Sequence, residues 1–315
     1  MNATLADLGE FAVIDRIAAN VVTGPQVSLG PGDDAGVIGV DGSVVASTDV
    51  MNEMVHFRTD WTSAGDVGHR CVAGAVADIE AMGAVPTAIL IALSAPSTVE
   101  VAWLDKFMEG VLEECQTARV SLVGGDVSTS AAISIAVTAL GETRGQAVVR
   151  RDGARPGDAV AYKGRIGWAG AGLAVLSRGF RSPRVLVSAY QRPQVPYGAG
   201  VEANRFGATS LTDVSDGLVA DLGHIARASS VVIDLDLETL APPEPLLAVA
   251  NATGKDAREF MLSGGEDHAL VGTFPFGEVP QLWTVIGRVQ ALEGRDPAVF
   301  VDGEEWLGPR GWSHF

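Results

Sequence analysis

Residues 43–93 read SVVASTDVMNEMVHFRTDWTSAGDVGHRCVAGAVADIEAMGAVPTAILIAL, and three segments in a row decide the fold class. Ser43–Ser47 is a β-branched run that delivers Thr48 and Asp49 at its end. Residues 62–82 place Val67, Cys71, Ala75, Ile79 and Met82 on one face of a long helix, and the turn Gly83-Ala84-Val85-Pro86 stops it. Ile89–Leu93 is short and continuously apolar, as a buried strand is. Strand, helix and strand in this order predict an α/β protein.

The pattern continues downstream. Trp103, Phe107, Val111 and Leu112 mark a second helix. Val120–Val123 is a strand ending in Gly124-Gly125-Asp126, and Ile133–Leu140 is another, so the layout holds paired strands as well as crossovers. Residues 141–158 are rich in Gly and Arg and contain Pro156, which predicts a junction between two domains, 1–145 and 146–315. The alternation then restarts with a strand at 159–163, a glycine-rich turn and a helix through Leu173 and Leu176. A strand at Ser210–Leu211 follows, with a helix opening at Ser215 or Asp216. Gly164, Gly167, Gly170 and Gly172 suggest a dinucleotide fingerprint, but Val175 stands where its last glycine belongs, so they read as a turn with close helix packing.

Composition narrows the function. Acidic residues outnumber Lys plus Arg by 39 to 22, and the formal charge of −17 argues against binding a nucleic-acid backbone. It leaves a nucleotide open, because bound Mg²⁺ reverses the local sign. None of the lysines (Lys106, Lys163, Lys255) follows a glycine-rich loop at P-loop spacing. Cys71 and Cys115 lack CxxC spacing and lie in predicted helices, as buried thiols of a reduced cytoplasmic protein would. Leu5, Leu8, Phe11, Ile14 and Ile17 predict an N-terminal amphipathic helix rather than a signal peptide. The longest apolar run is far short of the roughly 20 residues that span a bilayer, so no membrane association is expected.

Six acidic blocks punctuate this framework: Gly32-Asp33-Asp34, Ser47-Thr48-Asp49, Asp78, Gly124-Gly125-Asp126, Asp213-Val214-Ser215-Asp216 and Gly264-Gly265-Glu266-Asp267. If they converge, they form a cage of hard oxygen ligands suited to Mg²⁺. Two carboxylates about 4 Å apart repel by roughly 4 kcal/mol at an effective dielectric near 20. Such a cluster therefore takes up cations, binds protons or stays splayed. Taken singly, each block also reads as a turn or helix cap, and Asp267 with Glu266 reads more readily as a capping turn than as a site. Asp78 stands apart, since it borders the buried face of an apolar helix, where a carboxylate needs a partner or a metal.

Together the blocks resemble the thiamine-monophosphate kinase family, whose superfamily includes aminoimidazole ribonucleotide synthetase. The resemblance rests on Gly32-Asp33-Asp34-Ala35, Ser47-Thr48-Asp49 with His56-Phe57, Ala77-Asp78-Ile79, Gly124-Gly125-Asp126, Arg151 with Gly153–Asp158, Ser215-Asp216-Gly217-Leu218 with Asp221–Ile225, Ser263–Asp267 and the closing Gly311–Phe315. It implies a two-domain fold like that synthetase, with the N-terminal domain pairing in a homodimer and carrying acidic Mg/ATP motifs, and the C-terminal domain completing the site. It implies that Asp34, Ser47, Thr48, Asp49, Asp78, Asp126, Asp213 and Asp216 hold several Mg²⁺ ions. Gly125, Asp126, Arg151 and Ser215 would contact ATP, and His56, Glu266 and Trp312 would contact thiamine phosphate. The implied reaction is phosphorylation of thiamine phosphate by ATP with no general base. Met54 stands where the family usually has Gly, Val127 where Thr is common, and His268-Ala269 where Tyr-Glu is usual. The rivals are a sister ATP-dependent synthetase and a non-catalytic acidic cation-binding protein.

Overall fold

The structure, a computed structural model, describes residues 3–309 and 311. They form two compact units. The first runs to Gln146 without Glu80–Ala84, and the second holds Glu80–Ala84 with the chain from Ala147 onward.

The first unit contains α1 (Leu5–Leu8), α2 (Glu10–Ala18), β1 (Val27–Leu29), β2 (Val37–Ile38), β3 (Val44–Asn52), α3 (Ala64–Ala81, its last two residues belonging to the second unit), β4 (Val85–Ala95), α4 (Val101–Ala118), β5 (Ser121–Thr129) and β6 (Ser134–Glu142). Its main sheet has the order β3-β6-β4-β5. β6 pairs antiparallel with both β3 and β4, whereas β4 and β5 are parallel. A parallel pair needs a crossover, and α4 supplies it. Ile89, Ile91 and Leu93 of β4 alternate inward with Ile135, Val137 and Ala139 of β6, and all are buried. On the opposite face Val50 and Ala92 are exposed. Two helices approach backbone to backbone where side chains vanish: a Cβ on Gly110 of α4 would overlap Gly65 of α3, and one on Gly68 would overlap Phe107.

The expected single N-terminal helix is two. Gly9, at φ +78°, ends α1 and caps α2, and this break leaves Phe11 80% exposed while Val13 alone in α2 is buried. Arg16 instead ties α2 to α4 through paired contacts with Asp105 at 2.5 and 2.7 Å. Cys71 and Cys115 are both buried, and burial pushes both thiols up.

The second unit opens with a 3₁₀ turn at Arg151–Gly153 and continues through β7 (Ala159–Lys163), α5 (Trp168–Leu176), α6 (Arg184–Gln191), α7 (Ala199–Arg205), β8 (Ser210–Val214), α8 (Leu218–Ser229), β9 (Val232–Leu235), α9 (Glu244–Thr253), α10 (Ala257–Ser263), β10 (Ala269–Phe274), β11 (Thr284–Gln290), β12 (Val299–Val301) and β13 (Glu304–Glu305). Its sheet is ordered β13-β12-β9-β11-β7-β10-β8. β8 and β10 are buried along their whole length, so this end of the sheet anchors whatever loops follow it. Gly172 lets α5 touch the backbone of α6 at Leu186, and Gly170 lies against Gly264, which is the close packing the glycine spacing predicts. Glu80, almost fully buried, caps α7 by accepting the Gly198 and Gly200 N–H groups at 2.7 and 2.8 Å.

Candidate functional site

Ser47, Thr48 and Asp49 lie in the middle of β3, not at its end, and Asp126 lies within β5 rather than after it. Both runs looked shorter because the polar residues that interrupt the apolar pattern still pair in the ladder, Thr48 with Thr138 and Asp126 with Ala92. Strand alternation then divides the predicted set. Ser47 and Asp49 point to the helix-covered face, where the Ser47 hydroxyl donates to the Asp78 carboxylate of α3 at 2.5 Å. Asp49 also adds its charge to those that raise the buried Cys71 thiol of the same helix. Thr48 points the other way and accepts from the Thr138 hydroxyl at 3.3 Å.

Asp126 shares the opposite face with Ala92, Ala136 and Val50. Gly36 rests against Val123, which sets the exposed Asp33–Asp34 turn beside β5. Two strands separate β3 from β5, a distance of about 14 Å at ordinary strand spacing. Within this unit the acidic residues therefore form two groups, Ser47–Asp49–Asp78 at one edge and Asp34–Asp126 at the other. Gly125 has its own reason to be glycine, since a Cβ there would overlap the Ile91 carbonyl.

His56 closes the turn after β3, its Nδ1 accepting the Asn52 N–H at 3.0 Å. In that turn Met54 sits at φ +67° with its side chain 68% exposed. Left-handed backbone favours glycine, which explains why glycine would suit a position where this chain carries Met.

In the second unit β8 delivers Asp213, and α8 begins at Leu218, later than the helix start expected at Ser215 or Asp216. The intervening loop is organised by Asp221, whose Oδ2 accepts N–H groups from Ser215, Asp216 and Gly217 at 3.0–3.1 Å. Burial, together with the charge of Asp213, pushes the Asp221 carboxyl up to about 8. Asp216, Asp221 and His224 bring one ligand atom each within 4.8 Å of one another. Asp221 and His224 lie within the Asp221–Ile225 motif, and the spacing of Asp221 from the loop it caps is the sequence signal for its role. Arg151 is exposed on the 3₁₀ turn, and after burial its charge is the next cause holding His224 below the usual imidazole range. The Arg151 carbonyl accepts from the Ser229 hydroxyl at the C-terminal end of α8 at 2.8 Å, and the Arg151 charge reaches His224 midway, whereas Ser215 and Asp216 stand at the N-terminal end of that helix.

The 263–268 loop is pressed onto the same place. Gly217 passes against Ser263, and Gly265 against Ser215. The Glu266 N–H donates to the Ser215 carbonyl at 2.7 Å and the His268 N–H to the Val214 carbonyl at 2.9 Å. Both residues have positive φ, +68° and +50°. Asp267 is the cap its turn suggested, its carboxylate accepting the Gly167 and Ala169 N–H groups at the start of α5 at 2.5 and 2.7 Å. Beside it, His268 Nδ1 lies 3.1 Å from Asp213 Oδ2, and Nε2 lies 3.8 Å from Glu266 Oε2. Burial opposes charge on this ring, but its approach to Asp213 and Glu266 and their negative charges raise it to about 10. Trp312 lies outside the described residues.

Burial pushes the Asp267 carboxyl up to about 7 against backbone N–H groups and the His268 charge, which lower it. An acid whose pKa rises from 3.8 on folding binds more protons folded than unfolded between those values. Its stabilisation is complete below the unfolded pKa and fades as pH climbs through about 7. The thermal midpoint, measured without divalent cations, is expected to fall between about pH 4 and about pH 7. Asp267→Asn should flatten that slope, and an Asn variant with the wild-type slope would assign it elsewhere.

Residues 32–143 match the family described as AIR synthase related protein, N-terminal domain. A thiamine-monophosphate kinase of Mycobacterium tuberculosis is 45% identical over 315 residues, covering 99% of this chain and 93% of that protein. A thiamine-monophosphate kinase structure from Stenotrophomonas maltophilia K279a superposes with a TM-score of 0.83 at 33% identity, over 95% of this chain and 98% of the other. AaThiL complexed with AMPPCP and TMP gives 0.78 at 34% identity, over 98% of each chain. With near-complete coverage at this identity, and with every predicted carboxylate present, the chain belongs to the thiamine-monophosphate kinase family.

Proposed function

We propose that the protein transfers the terminal phosphoryl group of ATP to thiamine phosphate, giving ADP and thiamine diphosphate. The observation that carries this reading is the 34% identity, over 98% of each chain, to AaThiL complexed with AMPPCP and TMP. The acceptor is a phosphate oxygen already ionised near neutral pH. No strong base is needed, and the protein's task is positioning and charge neutralisation.

The donor set fits Mg²⁺. It is made of carboxylates and hydroxyls, and the Ser47–Asp78 pair and the Asp216–Asp221–His224 cluster show such groups held close. Asp34, Ser47, Thr48, Asp49, Asp78 and Asp126 of the first unit, with Asp213 and Asp216 of the second, would hold the ions. Bound Mg²⁺ supplies charge neutralisation at the phosphates. Gly125 and Asp126 offer backbone and carboxylate to the nucleotide, and Arg151 and Ser215 supply donors to phosphate oxygens. Glu266, His56 and Trp312 are kept as contacts of the thiamine moiety, where a carboxylate and an indole suit a cationic heteroaromatic ring.

The domain roles follow the same division, with Mg/ATP motifs on 1–145 and completion of the ATP and substrate site on 146–315. Pairing of two chains through the N-terminal sheet is supported by its second face, where Val50 and Ala92 are exposed. A cytoplasmic location accords with ATP as donor. No described helix is long and apolar enough to cross a membrane.

The direct test incubates purified protein with ATP, Mg²⁺ and thiamine phosphate and resolves the thiamine species by chromatography. Absence of thiamine diphosphate would overturn the reading. Arg151→Ala is expected to raise KM for ATP about tenfold or more, the scale of a lost charge-assisted hydrogen bond, and to leave KM for thiamine phosphate within about twofold. The opposite split would assign Arg151 to the acceptor.

A further inference from the structure

His268 is buried at the head of β10, and its two ring nitrogens face two different carboxylates. Nδ1 stands 3.1 Å from Oδ2 of Asp213, and Nε2 stands 3.8 Å from Oε2 of Glu266. The backbone under the ring is fixed. The His268 N–H is bound to Val214, and the next residue, Ala269, enters the β10–β8 ladder opposite Val214. Glu266 is fixed likewise by its N–H on Ser215. The imidazole therefore projects from an anchored backbone, with Asp213 at hydrogen-bond distance on one nitrogen and Glu266 at ion-pair distance on the other. Contact with one oxygen of Asp213 also turns the other oxygen away from the ring.

We propose that His268 is a positioning residue that locks Asp213, on the cation side of the site, to Glu266, on the thiamine phosphate side, so that the cation and the acceptor are bound in a fixed mutual geometry. This rests on the reaction proposed above. Partners that orient metal ligands commonly change metal affinity by about 10–100-fold when removed.

Two substitutions separate the halves. The amide nitrogen of Asn is as many bonds from Cα as Nδ1 of His, and that of Gln as many as Nε2. His268→Asn keeps a donor for Asp213 and withdraws the group facing Glu266. His268→Gln does the reverse. Three quantities are measured on the full chain: the thermal shift on titrating Mg²⁺ alone, Kd for thiamine phosphate at saturating Mg²⁺, and KM for ATP.

His268→Asn should leave the Mg²⁺ midpoint within about twofold and weaken thiamine phosphate binding about tenfold. His268→Gln should raise the Mg²⁺ midpoint about tenfold with a smaller change, about threefold, for thiamine phosphate. KM for ATP should move by less than about twofold in both. Variants that shift all three constants together, or none, would reduce His268 to a packing residue and overturn the proposal. Wild-type protein that is stabilised by Mg²⁺ yet fails to bind thiamine phosphate would overturn the coupling and the reaction together. Bound thiamine phosphate with unsplit variants would overturn the coupling alone.

Discussion

Asp78→Asn is expected to lower kcat by at least about a hundredfold, the scale of removing one preorganised electrostatic group, while the fold survives. Asp78 sits on α3 with the Ser47 hydroxyl 2.5 Å from its Oδ2. Asn keeps the shape of the side chain and an oxygen to accept that hydroxyl, so what is lost is charge. Asp49 shares that face of β3 with Ser47, and two carboxylates about 4 Å apart would repel by about 4 kcal/mol at an effective dielectric of 20. Loss of one charge should leave the apo protein as stable as wild type or slightly more so. The cation-bound state should suffer instead, so the stabilisation conferred by Mg-ATP shrinks. Steady-state rates at saturating ATP, with melts in the presence and absence of Mg-ATP, decide the matter. An Asn variant with wild-type turnover removes Asp78 from the site. Asp49→Asn and Asp126→Asn are expected to behave alike, which would show that both edges of the first unit's sheet serve the reaction.

Gly125→Ala should destabilise the protein by about 3 kcal/mol, at the upper end of ordinary overpacking, and lower the thermal midpoint by roughly 6–12 °C. The reason is backbone against backbone. A Cβ at this position would overlap the Ile91 carbonyl where β4 and β5 pair, and a carbonyl in a ladder cannot rotate aside as a flexible side chain would. Loss of ATP use in this variant would therefore be a folding effect first. Gly124→Ala is the control, because its Cβ would meet only the Leu90 side chain at 3.5 Å, an ordinary contact. A Gly125→Ala protein that melts like wild type but no longer uses ATP would instead make this glycine purely a nucleotide contact.

Much of the site could be named from the sequence because its residues come in short ordered motifs. Ser47-Thr48-Asp49, Asp78, Gly124-Gly125-Asp126 and Ser215-Asp216 each carry their chemistry within a few residues. The strand lengths were misjudged at the same places, since a hydroxyl or carboxylate breaks an apolar pattern without breaking backbone pairing. The Gly-Gly-Glu-Asp turn is legible as a cap, but the helix that Asp267 caps is α5, about a hundred residues earlier, which only the tertiary structure brings to it. Asp221 was not singled out, because its three N–H partners are revealed only when the loop before α8 folds back over it. His268 was legible only as a departure from the family pattern. Its position between Asp213 and Glu266 depends on β8 and β10 pairing across more than fifty residues of chain.

The α/β order, the family resemblance and the roster of oxygen ligands are legible in the chain, because helical and strand periodicity and motif identity are properties of neighbouring residues. Which of those ligands stand together depends on strand pairing and crossovers. Alternation along β3 sends Thr48 to the face opposite Ser47 and Asp49, and the crossover through α4 carries β5 to the far edge of the sheet, away from β3. Sheet neighbours are chosen by connections and hydrogen-bond registers between distant segments, so Asp126 and Asp49 occupy opposite edges of one sheet although their motifs look alike.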